Sequence, residues 1–299
     1  MSHKRRILGI CRHALVVVAA LIVPLAVASP ALAVEHHPKG DFAPFADCPL
    51  SNPSVTSCLV ADTTSGEFTV GKKTVPINKT ITLQGGTIEN PETGALTFVG
   101  AEDGNTLSKT ALNVPGGLFG VKAPNSWPKE AKERFEEMIN NGLTGVTETA
   151  ELARPASDIG INTNNLLAET GVALSLPLKV KLSNVFLGSN CYVGSESNPI
   201  VLNLTTGTTS PPEPNKPIKG NRGSVEFKDE FNIVVLNGGS LVDNAFSAPG
   251  ATGCGGRFSS FVDPLVNALF GVPAAAGHNT AILTGKLEEA NAEAVKASE

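Results

Sequence analysis

Leu174-Ser175-Leu176-Pro177-Leu178-Lys179-Val180-Lys181-Leu182-Ser183 decides the fold class. Leucine or valine stands at every second position, with serine, lysine or proline between. A period of two is the signature of a strand that buries one face. Pro177 has no backbone donor, which predicts an edge strand or a bulge at that point. Runs of similar character, bounded by Gly, Asn and Pro, recur on both sides at 58–61, 67–70, 74–83 and 96–99, then at 146–152, 172–182, 200–204, 225–227 and 233–236. Thr and Val are frequent in them, as strands prefer. The expected architecture is mainly β, a β-sandwich-like domain over residues 34–285 with two short helices.

The first helix is expected over 128–140. Ala131, Phe135, Met138 and Ile139 fall at helical spacing there, with Ser126 placed to cap the start and Gly142 to end it in the left-handed conformation. Its charged residues form a solvated face. The second helix has Asp263 as cap, Pro264 at its first position, Leu265, Val266 and Leu269 inward, and Gly271 at its end. Residues 286–299 read as a flexible or helical tail. Gly85-Gly86 reads as a turn, and residues 81–88 (ITLQGGTI) are echoed by 234–241 (VVLNGGSL), with the same double glycine.

Residues 205–224 carry Pro211, Pro212, Pro214 and Pro217 among Thr, Gly and Asn. That composition suits either a linker between two domains or one long loop. The loop is favoured, because a disulfide between Cys191 and Cys254 would tie its flanks together.

The first 33 residues have the form of a secretory signal. Lys4, Arg5, Arg6 and Arg12 give a basic start, Ala14 to Val27 an apolar run interrupted by Pro24, and Ala31-Leu32-Ala33 a small-x-small cleavage pattern. Cleavage is expected between Ala33 and Val34. The run is shorter than the roughly 20 apolar residues of a bilayer span, and Cys11 lies before it, the wrong place for a lipid-modified cysteine. Arg5-Arg6 leaves twin-arginine export open.

Cleavage changes the balance of charge. The whole chain has 23 basic and 28 acidic residues, a net −5; without the four basic residues of the leader it has 19 against 28, a net −9. No basic cluster remains, which excludes nucleic acid as a partner. No second apolar run is long enough to cross a bilayer. Four cysteines are left, an even number that suits an oxidising compartment. Of three connectivities, Cys48 with Cys58 and Cys191 with Cys254 is favoured because each pair is nearest in sequence. There is no Cys-x-x-Cys pair for a zinc site.

The stretch from Leu187-Gly188-Ser189-Asn190-Cys191-Tyr192-Val193-Gly194 through Asn198-Pro199-Ile200 to Pro212 resembles a family of uncharacterised exported proteins from actinobacteria. So do 240–246, 250–256, 275–279 and the Cys48 to Cys58 region. The resemblance implies export and homology over most of the mature chain, and it brings no activity, ligand or catalytic residue.

Chemistry is thinly signalled. His278 is the one histidine beyond the amino-terminal region, and Ser259, Ser260, Asp243 and Asp263 are the residues that could join it in a hydrolytic triad. No Gly-x-Ser-x-Gly elbow accompanies them, and the Gly277 and Asn279 flanks suit a turn. A glycosidase carboxylate pair is defined by separation in space, although Trp127 and Tyr192, each without an aromatic neighbour in sequence, are poor sugar platforms. Gly116-Gly117 and 253–256 lack the spacing of a phosphate loop. Asp243-Asn244 offers oxygen ligands for calcium without an EF-hand pattern. A chain beginning Val34-Glu35-His36 would place His36 third from a free amine, the arrangement of an amino-terminal Cu(II) or Ni(II) site; a solvated leader is the plainer reading. No cofactor is expected. The combined expectation is an exported, disulfide-stabilised protein with a non-enzymatic structural or binding role toward an unknown envelope or extracellular ligand. An extracellular hydrolase is the alternative, and so is an apolar-ligand carrier, which requires an internal cavity.

Overall fold

The computed structural model describes residues 36–299, so the leader, its cleavage site, Val34 and Glu35 lie outside the described residues. The strands are β1 (Ser57–Val70), β2 (Lys73–Pro76), β3 (Ile81–Glu89), β4 (Leu96–Gly100), β5 (Ala111–Asn113), β6 (Thr147–Leu152), β7 (Gly160–Ile161), β8 (Leu174–Ser183), β9 (Tyr192–Val193), β10 (Ile200–Leu204), β11 (Ser224–Lys228), β12 (Ile233–Asp243), β13 (Ala251–Thr252) and β14 (Thr280–Asn291). Four α-helices accompany them: α1 (Lys129–Asn141), α2 (Thr163–Ala168), α3 (Ser259–Phe270) and α4 (Ala292–Ala297).

They form two antiparallel sheets packed together, the sandwich-like arrangement that the alternation implies. One sheet runs β11-β12-β14-β1-β3-β4, with β2 also on β1; the other runs β13-β9-β8-β6-β5, with β10 and β7 also on β8. The decisive stretch is β8, the centre of the second sheet. Leu176, Leu178, Val180 and Leu182 are buried against the opposite sheet, and Lys179 and Lys181 face outward, where Lys179 meets Glu151 at 3.6 Å.

Pro177 corrects one expectation, because it stands in a central strand. Its carbonyl accepts from the Ala153 amide, so its missing N–H faces the same side. On that side β6 stops at Leu152, opposite Leu178, and β7 resumes only at Gly160, opposite Ser175. The reciprocal bond of that pair, from residue 177 to the Ala153 carbonyl, cannot form, and the regular pairing of β6 ends one residue before it.

Gly85 and Gly86 also differ from expectation, for they lie inside β3. A side chain on Gly85 would come within 2.3 Å of the Val99 carbonyl and 2.9 Å of the Phe98 ring. Glycine allows this close approach of backbone to ring. In the echoed segment, Gly238 has φ +68° where the pairing of β12 with β14 shifts register, the left-handed residue of a bulge. Neither double glycine is a turn.

The helix ends also differ from expectation. α1 begins after Pro128 with no side-chain cap, Gly142 is extended rather than left-handed, and none of its residues is buried. Trp127 has an aromatic neighbour in space, meeting Phe135 edge-on at 5.5 Å. α3 starts at Ser259, ahead of Pro264, and Asp263 accepts from the amides of Gly253 and Cys254 instead of capping it. Gly271 does end this helix in the left-handed conformation, φ 71°.

Residues 286–299 are neither flexible nor wholly helical. Up to Asn291 they belong to β14, held between β1 and β12, and α4 follows with Val295 fully buried. Asn291 caps α4, accepting from the amides of Glu293 and Ala294. α4 and residues 40–56 cover the outer face of the first sheet, where Phe42, Phe45, Val60, Ile233, Val235 and Val295 make a second core. This sheet is buried on both sides, which accounts for the uninterrupted run Cys58-Leu59-Val60 in β1.

Both disulfides pair as favoured: Cys48 with Cys58 and Cys191 with Cys254. The first pins the covering segment to β1, and the second joins the β9 end to the approach to α3. Residues 205–224 are a loop within one unit, folded back through bridges of Thr205 with Val242 and Asn221 with Ser240. Among the described residues no helix is long and apolar enough to cross a membrane.

Candidate functional site

The two inner sheet faces do not close completely. Between them lies a cavity of about 90 Å³, several times the roughly 10–15 Å³ that a water needs. The first sheet contributes Ala61, Phe68, Leu83, Leu241 and Leu283 to its wall. The second contributes Leu112, Ala150, Leu176, Leu178 and Leu202. A second hollow of about 50 Å³ adjoins it across Ala61, Thr63, Leu241 and Leu283, and Asp62 and Arg222 stand in its wall.

Among the described residues, one ionisable side chain lines the cavity. Glu148 lies on β6 opposite Leu112 of β5 and Leu182 of β8, on the same strand face as Ala150. Its side chain makes no hydrogen bond or ion pair with any described residue, and the residue is only 8 % exposed. Thr63 and Thr110 are the other polar residues of the wall, and the Thr110 hydroxyl donates to the Thr80 carbonyl. Burial away from any compensating cation pushes the Glu148 pKa up to about 8. At neutral pH its carboxyl group is mainly protonated and able to donate a hydrogen bond.

The sequence held a signal for this residue. Within 146–152, positions 146, 148, 150 and 152 share one strand face, and they read Val, Glu, Ala, Leu. A carboxyl group in the middle of an apolar register is the anomaly, visible once that face is known to be the inner one.

The residues considered for other chemistry do not assemble. His278 is exposed in a turn, its amide bonded to the Ala275 carbonyl. The Asp243 carboxylate accepts from the amides of Asn203 and Ala245, and that of Asp263 from the loop at Cys254, while Ser259 and Ser260 open α3. Among the described residues neither carboxylate is hydrogen-bonded to a histidine. In the cavity, Glu148 has no second carboxylate beside it with which to form a glycosidase pair.

His36 is a partly enclosed residue beside the carboxy-terminal Glu299. Its Nδ1 lies 2.5 Å from a carboxylate oxygen of Glu299, and Lys39 donates to the Glu299 backbone carbonyl. The remaining nitrogens of an amino-terminal metal site belong to residues 34 and 35, outside the described residues.

No protein-family model matches this chain, and neither a curated protein nor a solved structure shows a significant match.

Proposed function

We propose that this protein is an exported, non-enzymatic binding protein that holds the apolar part of a small molecule between its two sheets. The observation that carries this reading is the apolar cavity at the centre of the core, walled by both sheets. A domain with this many leucines facing inward has the means to close such a space, because close packing is the norm for protein interiors. Its persistence around one carboxyl group is the arrangement of a ligand site: apolar walls for affinity and few polar groups for orientation. The leader-like first 33 residues, the two disulfides and the resemblance to exported actinobacterial proteins support placement outside the cytoplasm, in the envelope or the surrounding medium.

Size limits the ligand. A cavity of about 90 Å³ is smaller than the roughly 150 Å³ apolar cavity that accepts benzene, so it admits a short hydrocarbon chain of about four carbons rather than a fused ring. Titration with n-butane, followed by methyl NMR shifts of the core leucines, tests the reading. Saturable shifts at Leu112, Leu178 and Leu283 are expected, and Ala150→Leu, which fills the space, should abolish them. Absence of saturable shifts in the wild-type protein would overturn the proposal.

A further inference from the structure

Resting on the cavity as a ligand site, we propose that Glu148 sets its specificity, selecting an apolar molecule that carries one uncharged acceptor oxygen, such as a ketone or ester carbonyl. The Glu148 carboxyl group donates its hydrogen to that oxygen.

Three observations converge on this chemistry. Glu148 is more than nine-tenths buried, faces the cavity, and has no partner among the described residues. A buried polar group in that state is costly, and a ligand atom that completes its hydrogen bond recovers the loss. Next, no other titratable side chain faces this cavity from β1, β3, β5, β8, β10, β12 or β14. Glu151, Lys179 and Lys181 belong to the outer face of their sheet, and Asp62 and Arg222 line only the adjoining hollow. A charged ligand would therefore enter without a second group to share its desolvation. An ammonium group brings three donors to a site with one carboxyl group, and a buried ion pair recovers its desolvation cost only when the remaining donors are also satisfied. A carboxylate ligand would bury a charge with no cation to meet it. Finally, the upward displacement of the Glu148 pKa leaves the donor form prevalent at neutral pH. With the Thr110 hydroxyl committed to Thr80, Glu148 is, beside the Thr63 hydroxyl, the donor this apolar chamber offers, which matches a neutral acceptor on an apolar chain.

The test uses three probes of equal chain length, n-butane, 2-butanone and n-propylamine, titrated into wild type, Glu148→Leu and Glu148→Gln at pH 6.5 and 9.5. In Glu148→Leu the affinity for 2-butanone should fall roughly two- to twelvefold, the worth of one neutral hydrogen bond, and butane binding should not weaken. Glu148→Gln keeps an N–H donor at the same place, so it should retain the ketone at both pH values. Wild type should lose its ketone-over-butane ratio at pH 9.5, when the carboxylate has no hydrogen left to donate. Equal effects of Glu148→Leu on ketone and butane would overturn the role of Glu148 and leave the cavity as a ligand site. Preference for propylamine over the ketone in wild type would overturn the neutral-acceptor assignment. Failure of wild type to bind either butane or the ketone would overturn the ligand site itself.

Discussion

Glu148 shows how one residue can tie stability to pH. Its carboxyl group has an ordinary value of 4.5 when exposed and about 8 in the folded protein. Between those values the folded state holds a proton that the unfolded chain has released, so stability falls as pH rises across the window. The contribution is fully present below about pH 4.5, declines up to about 8, and stays low above. The loss amounts to a few kcal/mol. Urea unfolding at pH 5 and pH 8.5 should show wild type losing more stability than Glu148→Leu, with the variant the more stable protein at the higher pH. If the two lost equal stability, Glu148 would be ionised in the fold.

At the scale of elements, glycines and the chain's last strand carry the argument. Gly85→Ala would drive a methyl group against the Val99 carbonyl and the Phe98 ring. Its φ of +155° adds backbone strain, and a cost of about 2–4 kcal/mol is expected in equilibrium unfolding. Had Gly85 been in a turn, as the double glycine suggested, the substitution would meet no ring. The carboxy-terminal segment makes a similar distinction. Truncation after Asn291 removes α4 and the buried Val295 side chain, uncovering part of the outer core of the first sheet. This should lower stability by about 2–5 kcal/mol. A tail that merely frayed could be removed without a shift in the unfolding midpoint.

For the molecule as a whole, each disulfide closes a loop of different length, 10 and 63 residues apart in sequence. By chain entropy, replacing Cys48 and Cys58 with alanine should cost about 3 kcal/mol, and replacing Cys191 and Cys254 about 4. Denaturant titration of the two double variants checks the order. The shorter bridge has a second effect that entropy does not count, since it fastens the segment covering the first sheet. Its loss should also expose that sheet's outer apolar face, detectable as binding of an apolar fluorescent dye. The longer bridge lies away from this face, and its removal should not produce the dye signal.

Much of this architecture was legible in local pattern. Alternation in 174–183 defines a one-faced strand, the strand-rich content implies packed sheets, and pairing each cysteine with its nearest partner in sequence matches both disulfides. These are properties of neighbours along the chain, and period, spacing and composition report them. What the tertiary structure decided depends on partners distant in sequence. Pro177 is tolerated in a central strand because two different strands end on either side of its missing donor. Gly85 is required by a ring on the next strand, and residues 286–291 become a strand because β1 and β12 leave a place between them. Glu148 follows the same logic: its position on a strand face is written in the sequence, but the chamber it faces exists only where two sheets, built from segments interleaved along the chain, meet without filling the space between them.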